Sequence, residues 1–150
     1  MPQREKKLKH GTGGRTMNDR YLFKAKTYRG DWVRGLLASS NGKCYICNRD
    51  GRPFAFEIQP DTICQCTGLK DKRGKLIWEN DVVKFDVYYY ENLESSIISQ
   101  IMWCNDLCAL SLVVNDRGTR GTLGHLMDLN KEIEVIGNKF DNPELLERKE

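Results

Sequence analysis

The sequence predicts a mostly β fold of short antiparallel strands, and three observations predict it. Turn signals recur at a spacing of about ten residues, the mark of a meander or small barrel. Between them, apolar and polar residues alternate with the period-2 pattern of half-buried strands. A helix start is legible only near the C-terminus, where Asn142 stands as N-cap and Pro143 at the first helical position before Glu144-Leu145-Leu146.

The elements follow in order. Residues 21–27 alternate Tyr21, Phe23 and Ala25 with Leu22, Lys24 and Lys26, and read as the first strand. Tyr28-Arg29-Gly30-Asp31 is a turn, and residues 32–37 return as the second strand. Ser39-Ser40-Asn41-Gly42 is the next turn, with Asn-Gly as a strong hairpin signal. Residues 43–48 form a third strand, residues 49–53 a turn and residues 54–58 a fourth strand, which Pro60-Asp61 closes. Residues 70–74 are a polar turn in which Gly74 suits a positive φ. Leu76, Ile77 and Trp78 anchor the chain after it, Glu79-Asn80-Asp81 turns it again, and a strand runs from Val82 to Tyr90. A polar loop at 91–94 leads to strands 96–104 and 107–114, joined by Asn105-Asp106. Residues 115–118 are a turn, and residues 122–129 fit either a short strand or one helical turn. Residues 132–136 alternate as a strand.

With 150 residues, the chain suffices for one domain or two very small ones sharing a core. At 39% hydrophobic and 30% charged, most of it is expected to fold. No run reaches the roughly 18 apolar residues of a membrane helix. Residues 1–16 carry no apolar signal region, so a cytosolic location is expected. Those residues hold five basic side chains against one acid, or +4 of a total of +3, which leaves −1 on the rest. The basic character is thus assigned to a disordered tail, 1–16, with Met17 as an alternative start.

Six cysteines fall in three pairs: Cys44 and Cys47, Cys64 and Cys66, Cys104 and Cys108. The spacing of the first pair suits zinc, and Cys44, Cys47, Cys64 and Cys66 are the candidate four-thiolate site. Against it, Tyr45 and Ile46 favour a strand, on which residues three apart face opposite ways. The expectation is no metal and no cofactor, with the cysteines as small buried hydrophobes.

No enzyme is expected: His125 stands without a sequence partner, and no phosphate-binding loop, dinucleotide fingerprint or nucleophile elbow occurs. Glu79 and Asp81 are read as carboxylates that bond local backbone N–H groups. Lys70, Lys72, Arg73 and Lys75 cluster on one hairpin tip and are the candidate nucleic-acid-binding residues. The leading expectation is a non-catalytic interaction module with a protein partner, itself or another, and no membrane.

Residues 67–83, TGLKDKRGKLIWENDVV, resemble the signature of the YopX family: TGLKDKNGK, an aromatic, then E-G-D-[IV]-V. The closing Glu134-Val135-Ile136-Gly137-Asn138 and Asp141-Asn142-Pro143-Glu144-Leu145-Leu146 are similar to the family's EVIGN…NPELL ending. Residues 17–23, with Trp32-Val33 downstream, resemble its first strand pair. The resemblance covers residues 17–146. It implies a body of three parts: an N-terminal β meander or barrel at 17–66, the signature hairpin at 67–81, and an SH3-like barrel at 82–146. Residues 147–150 form a short tail. It further implies a phage or prophage origin in a bacterial host, a capacity to self-associate, and no known catalytic residue. Two positions depart from the pattern. Asn80 replaces a glycine but tolerates the left-handed conformation, so the turn is expected to survive. Cys66 replaces an aromatic and is expected to pack rather than bind metal.

Overall fold

The computed structural model describes residues 18–48, 55–113, 118–129 and 132–147. The expected tail at 1–16, Met17, the turn at 49–53, Phe54 and most of the turn at 115–118 lie outside them. The described chain is mostly β, as expected, with one short α-helix.

Six strands build the N-terminal sheet: β1 Phe23–Lys26, β2 Trp32–Ser40, β3 Lys43–Asn48, β4 Ala55–Ile58, β5 Cys64–Lys70 and β6 Leu76–Trp78. Their antiparallel order is β4-β3-β2-β1-β5-β6. The first strand starts later than its alternation suggests. Asn18 accepts the Arg20 N–H at 3.0 Å and caps a 3-10 turn, Asp19–Tyr21, so Tyr21 is not in the strand. Ser39 and Ser40 belong to β2 rather than to the turn. Asn41 (φ 50°) and Gly42 (φ 74°) make the two-residue connection alone.

The outer strand β4 swings back to β1 through a bridge between Thr27 and Ile58, and the Gln59 N–H donates to the Lys26 carbonyl at 2.8 Å. Strands β1 to β4 thereby wrap around Ala25, Ile46 and Ile58, flanked by Phe23, Val33, Cys44 and Ile63. Gly35 permits this curl, because a Cβ there would collide with the carbonyl oxygen of Cys47. β5 runs unbroken through the 66/67 boundary drawn from the sequence.

The C-terminal part comprises β7 Asp81–Tyr89, β8 Asn92–Gln100, β9 Met102–Cys104, β10 Ala109–Val113, β11 Arg120–Thr122, α1 Leu123–Leu129 and β12 Glu134–Asn138. A 3-10 turn, Pro143–Leu146, follows. These strands form two three-stranded antiparallel sheets, β12-β7-β8 and β11-β10-β9. Among the described residues their ladders remain separate sheets and do not join into one ring. Both pack on a common core of Ile77, Val83, Phe85, Ile101, Leu112, Leu123, Leu126, Ile133 and Val135.

Several expected boundaries shift for identifiable reasons. The strand expected at 96–104 breaks at Ile101, which is buried and bonds Asn80 N–H and the Asp81 carbonyl, each at 2.8 Å. That bend hands the chain from one sheet to the other. The polar loop at 91–94 is instead a two-residue turn of Tyr90 (φ 45°) and Glu91 (φ 67°). The β9–β10 connection takes four residues, Asn105 to Cys108, not two, because Cys104 pairs with Ala109. Residues 122–129 are helix after Thr122. The last strand begins at Glu134, not at residue 132, and has a bulge between Val135 and Gly137. Asn142 occupies the N-cap of the final 3-10 turn, but its side chain accepts no N–H from that turn. Its Oδ1 accepts the Asn138 N–H at 3.3 Å instead.

Candidate functional site

The basic hairpin between β5 and β6 is the strongest site candidate from sequence. Its organising residue is Asp71, which is 7% exposed. Asp71 Oδ1 accepts the N–H groups of Arg73 and Lys75, each at 2.9 Å, and so shapes the turn that Gly74 (φ 80°) completes. Its Oδ2 accepts the Val135 N–H at 3.0 Å. Burial pushes this carboxyl up, but the bonds from Val135, Lys75 and Arg73 overcome it and hold the group below its ordinary value.

The hairpin tip is therefore fastened to β12. The Lys72 N–H donates to the Ile133 carbonyl at 2.9 Å. Lys72 Nζ lies 3.2 Å from Glu134 and 3.8 Å from Glu132, and Arg73 Nη2 lies 2.7 Å from Glu134. Lys70 and Lys75 are exposed on the same tip. Two of the four candidate cations thus face carboxylates about 60 residues away, a juxtaposition no local pattern reveals.

The following turn is the second feature. Asn80 adopts φ 68°, as the Gly-to-Asn replacement requires. Its side chain is put to use: Oδ1 accepts from Gln100 at 2.9 Å and Nδ2 lies 3.6 Å from Cys64 Sγ. Asp81 is 2% exposed, accepts the Trp78 N–H at 2.8 Å and faces Lys24 Nζ at 3.4 Å. Burial pushes the Asp81 carboxyl up, with Lys24 opposing. Glu79 is likewise pushed up by burial, with the Gln65 backbone opposing. Lys24 Nζ also sits 4.9 Å from the Trp32 ring and 5.3 Å from Trp78. This is a structural joint between the two halves of the chain, its carboxylate turned inward.

Cys44 and Cys47 lie on β3 and point to opposite faces. Cys64 and Cys66 lie on one face of β5, buried with Leu22 and Trp78. Burial pushes the Cys64 thiol up to about 11 and raises Cys66 as well. Among the described residues no group of three or more His, Cys, Asp or Glu is placed to hold a metal ion. His125 sits exposed on α1. Among the same residues no helix is long and apolar enough to cross a membrane.

With this geometry in view, the comparison with known families is decisive. Residues 21–147 match the family described as YopX protein. The chain belongs to the YopX family. No curated protein matches it. Within this YopX chain, Asp71, Asn80 and Asp81 of the signature, and Glu134 and Asn138 of the ending, all serve to tie its segments together. Cys66, at the position of a usual aromatic, fills the same cluster as Trp78.

Sequence reasoning missed the exposed apolar surface. β8 is the outer strand of its sheet, and of residues 93–100 only Glu94 is charged. Leu93 is 58% and Ile98 47% exposed. The β7–β8 tip adds Tyr88 and Tyr90, the latter 82% exposed. Alongside β8 runs a groove of about 710 Å³, half of whose lining residues are apolar (Ile98, Met102, Val113, Leu145 and Leu146) and half polar or charged. The alternation of β8 was legible, but not that its outer edge would lack a paired strand, with only β10 and the final 3-10 turn beside it.

Proposed function

We propose that this chain is a non-catalytic interaction module that assembles through the edge of β8, first of all with further copies of itself. The observation that carries the reading is the composition of that edge. Natural edge strands are guarded by lysines, prolines or bulges that turn away a foreign strand. β8 has neither lysine nor proline from Asn92 to Gln100; its bulge, at Glu94, sits near the β7–β8 tip, and Leu93 and Ile98 to either side of it are exposed. Such an edge accepts an added strand through main-chain hydrogen bonds, with apolar side chains supplying area. The reading goes with the phage or prophage origin and bacterial cytosol that family membership suggests.

The alternative, nucleic-acid binding by Lys70, Lys72, Arg73 and Lys75, is weakened by the pairing of Lys72 and Arg73 with Glu132 and Glu134. Phosphate contacts would have to displace those carboxylates.

Light scattering coupled to gel filtration tests the proposal over a range of protein concentrations. The wild type is expected to exceed the 17.4 kDa of one chain. A Leu93→Lys, Ile98→Lys double variant is expected to fall back to it. A wild type that stays monomeric at the highest concentration rules out self-assembly and directs the search to a foreign strand.

A further inference from the structure

The β9–β10 turn takes no part in that assembly, yet it carries two cysteines in the run Trp103-Cys104-Asn105-Asp106-Leu107-Cys108. Cys104 closes β9 and is 3% exposed, beside a turn whose four residues are all exposed. Arg120, on β11 at the far side of β10, places Nη1 3.5 Å from the Cys104 sulfur. The backbone N–H groups of Leu107 and Asp106 donate to the same sulfur. The Arg120 bond first, and then these N–H bonds, draw the thiol below its ordinary value.

Cys108 is the second thiol. It is exposed and sits in the left-handed region at φ 47°, which is costly for a side chain of this kind. Its N–H donates to the Asn105 carbonyl at 3.2 Å, and its sulfur lies 3.3 Å from that oxygen, so the thiol is folded under the turn. Cys104 pairs directly with Ala109, the residue after Cys108. Paired Cα atoms lie about 5 Å apart and neighbouring ones about 3.8 Å. The span to be bridged is therefore local, and rotation of Cys108 out of its left-handed conformation is the adjustment available.

We propose that Cys104 and Cys108 form a reversible thiol–disulfide switch, in which Cys104 reacts with a hydroperoxide and Cys108 resolves the product. The Cys104 thiolate attacks the outer peroxide oxygen. The O–O bond breaks, the sulfur becomes a sulfenic acid, and the departing oxygen leaves as water or an alcohol once protonated. The Cys108 thiolate then attacks that sulfur: the S–S bond forms, the S–O bond breaks, and hydroxide takes up the Cys108 proton as water. Two electrons from two thiols have reduced one peroxide, and a dithiol reductant restores both. In a reducing cytosol such a disulfide is transient, as a sensor requires. Its natural readout is the exposed surface of Trp103 and Leu107 that flanks the turn.

Tryptic mapping of the full chain tests the switch. Residues 85–117 contain no internal lysine or arginine and hold these two cysteines alone. After exposure to hydrogen peroxide and alkylation in denaturant, that peptide is expected to lose two hydrogens before any other cysteine is modified. Dithiothreitol is expected to reverse the change. In Cys108→Ser a sulfenic acid at Cys104, trapped with dimedone, should replace the disulfide. Arg120→Gln should slow oxidation about tenfold at neutral pH and shift its pH midpoint upward, with Arg120→Lys recovering most of the rate. The switch is refuted if peptide 85–117 stays reduced while others oxidise. It is equally refuted if Cys104→Ser leaves the rate of oxidation at Cys108 unchanged.

Discussion

Asp71 concentrates three backbone N–H groups on one buried carboxylate. Removing it leaves the Val135 N–H unpaired in the interior and the turn without its organiser. Asp71→Ala is expected to cost about 3 kcal/mol, read from the urea midpoint at unchanged slope. Asp141 plays a similar part at the other end of the chain. The Asn138 amide, Lys26 and the Trp32 indole at 2.8 Å hold its carboxyl down at about 2. A depressed carboxyl stabilises the fold above its unfolded value near 4, and the contribution is lost as pH falls toward 2. Asp71 acts in the same direction; Asp81 and Glu79, raised by burial, act in the opposite one. The net acid limb of stability between about pH 4 and pH 2 should therefore flatten in Asp141→Asn, as followed by thermal unfolding. Because Asp141 is well exposed, solvent screening keeps the effect small. These roles were only partly legible. Asp71 and Asp141 stand in recognisable motifs, but their partners Val135, Trp32 and Lys26 are distant in sequence.

Among the elements, the strands were the most legible part. β3 was read at its observed bounds, since alternation and the Asn41-Gly42 turn both act locally. Where two signals competed, the boundary moved. Ile101 is apolar and continues the strand pattern, yet its backbone bonds to Asn80 and Asp81, so tertiary pairing broke the element. The Tyr90-Glu91 turn was unreadable because neither residue favours a positive φ. Replacing the pair by Asn-Gly should relieve that strain and stabilise the hairpin by about 1 kcal/mol, a rise of a few degrees in melting temperature. Gly35 is a test in the other direction. Gly35→Ala forces β2 and β3 apart at Cys47 and should cost at least about 3 kcal/mol, measured by denaturant unfolding.

In the described molecule as a whole, one apolar cluster joins the two parts alongside the Asp71 and Asp81 contacts. Leu22, Cys64, Cys66 and Trp78, with Trp32, Leu76 and Phe140 against them, draw on both ends of the chain and on the signature hairpin. The Trp32 and Phe140 rings meet edge-on at 5.9 Å. The N-terminal wrap and the two C-terminal sheets are thus expected to melt together, with equal calorimetric and van't Hoff enthalpies. Trp78→Ala should remove about 3–5 kcal/mol and lower the single transition rather than split it.

The sequence by itself determined the β class, most of the strands, the left-handed turns at Asn41-Gly42, Gly74 and Asn80, and membership in the YopX family. These follow from period-2 alternation, from residues that tolerate positive φ and from long motifs, all of which act over a few neighbouring residues. Only the tertiary structure decided that Lys72 and Arg73 meet Glu134, that β8 is left as an open edge, and that Arg120 reaches Cys104. Each of those depends on which strand lies beside which, and pairing between strands far apart in the chain is set by packing of the whole core rather than by any local pattern.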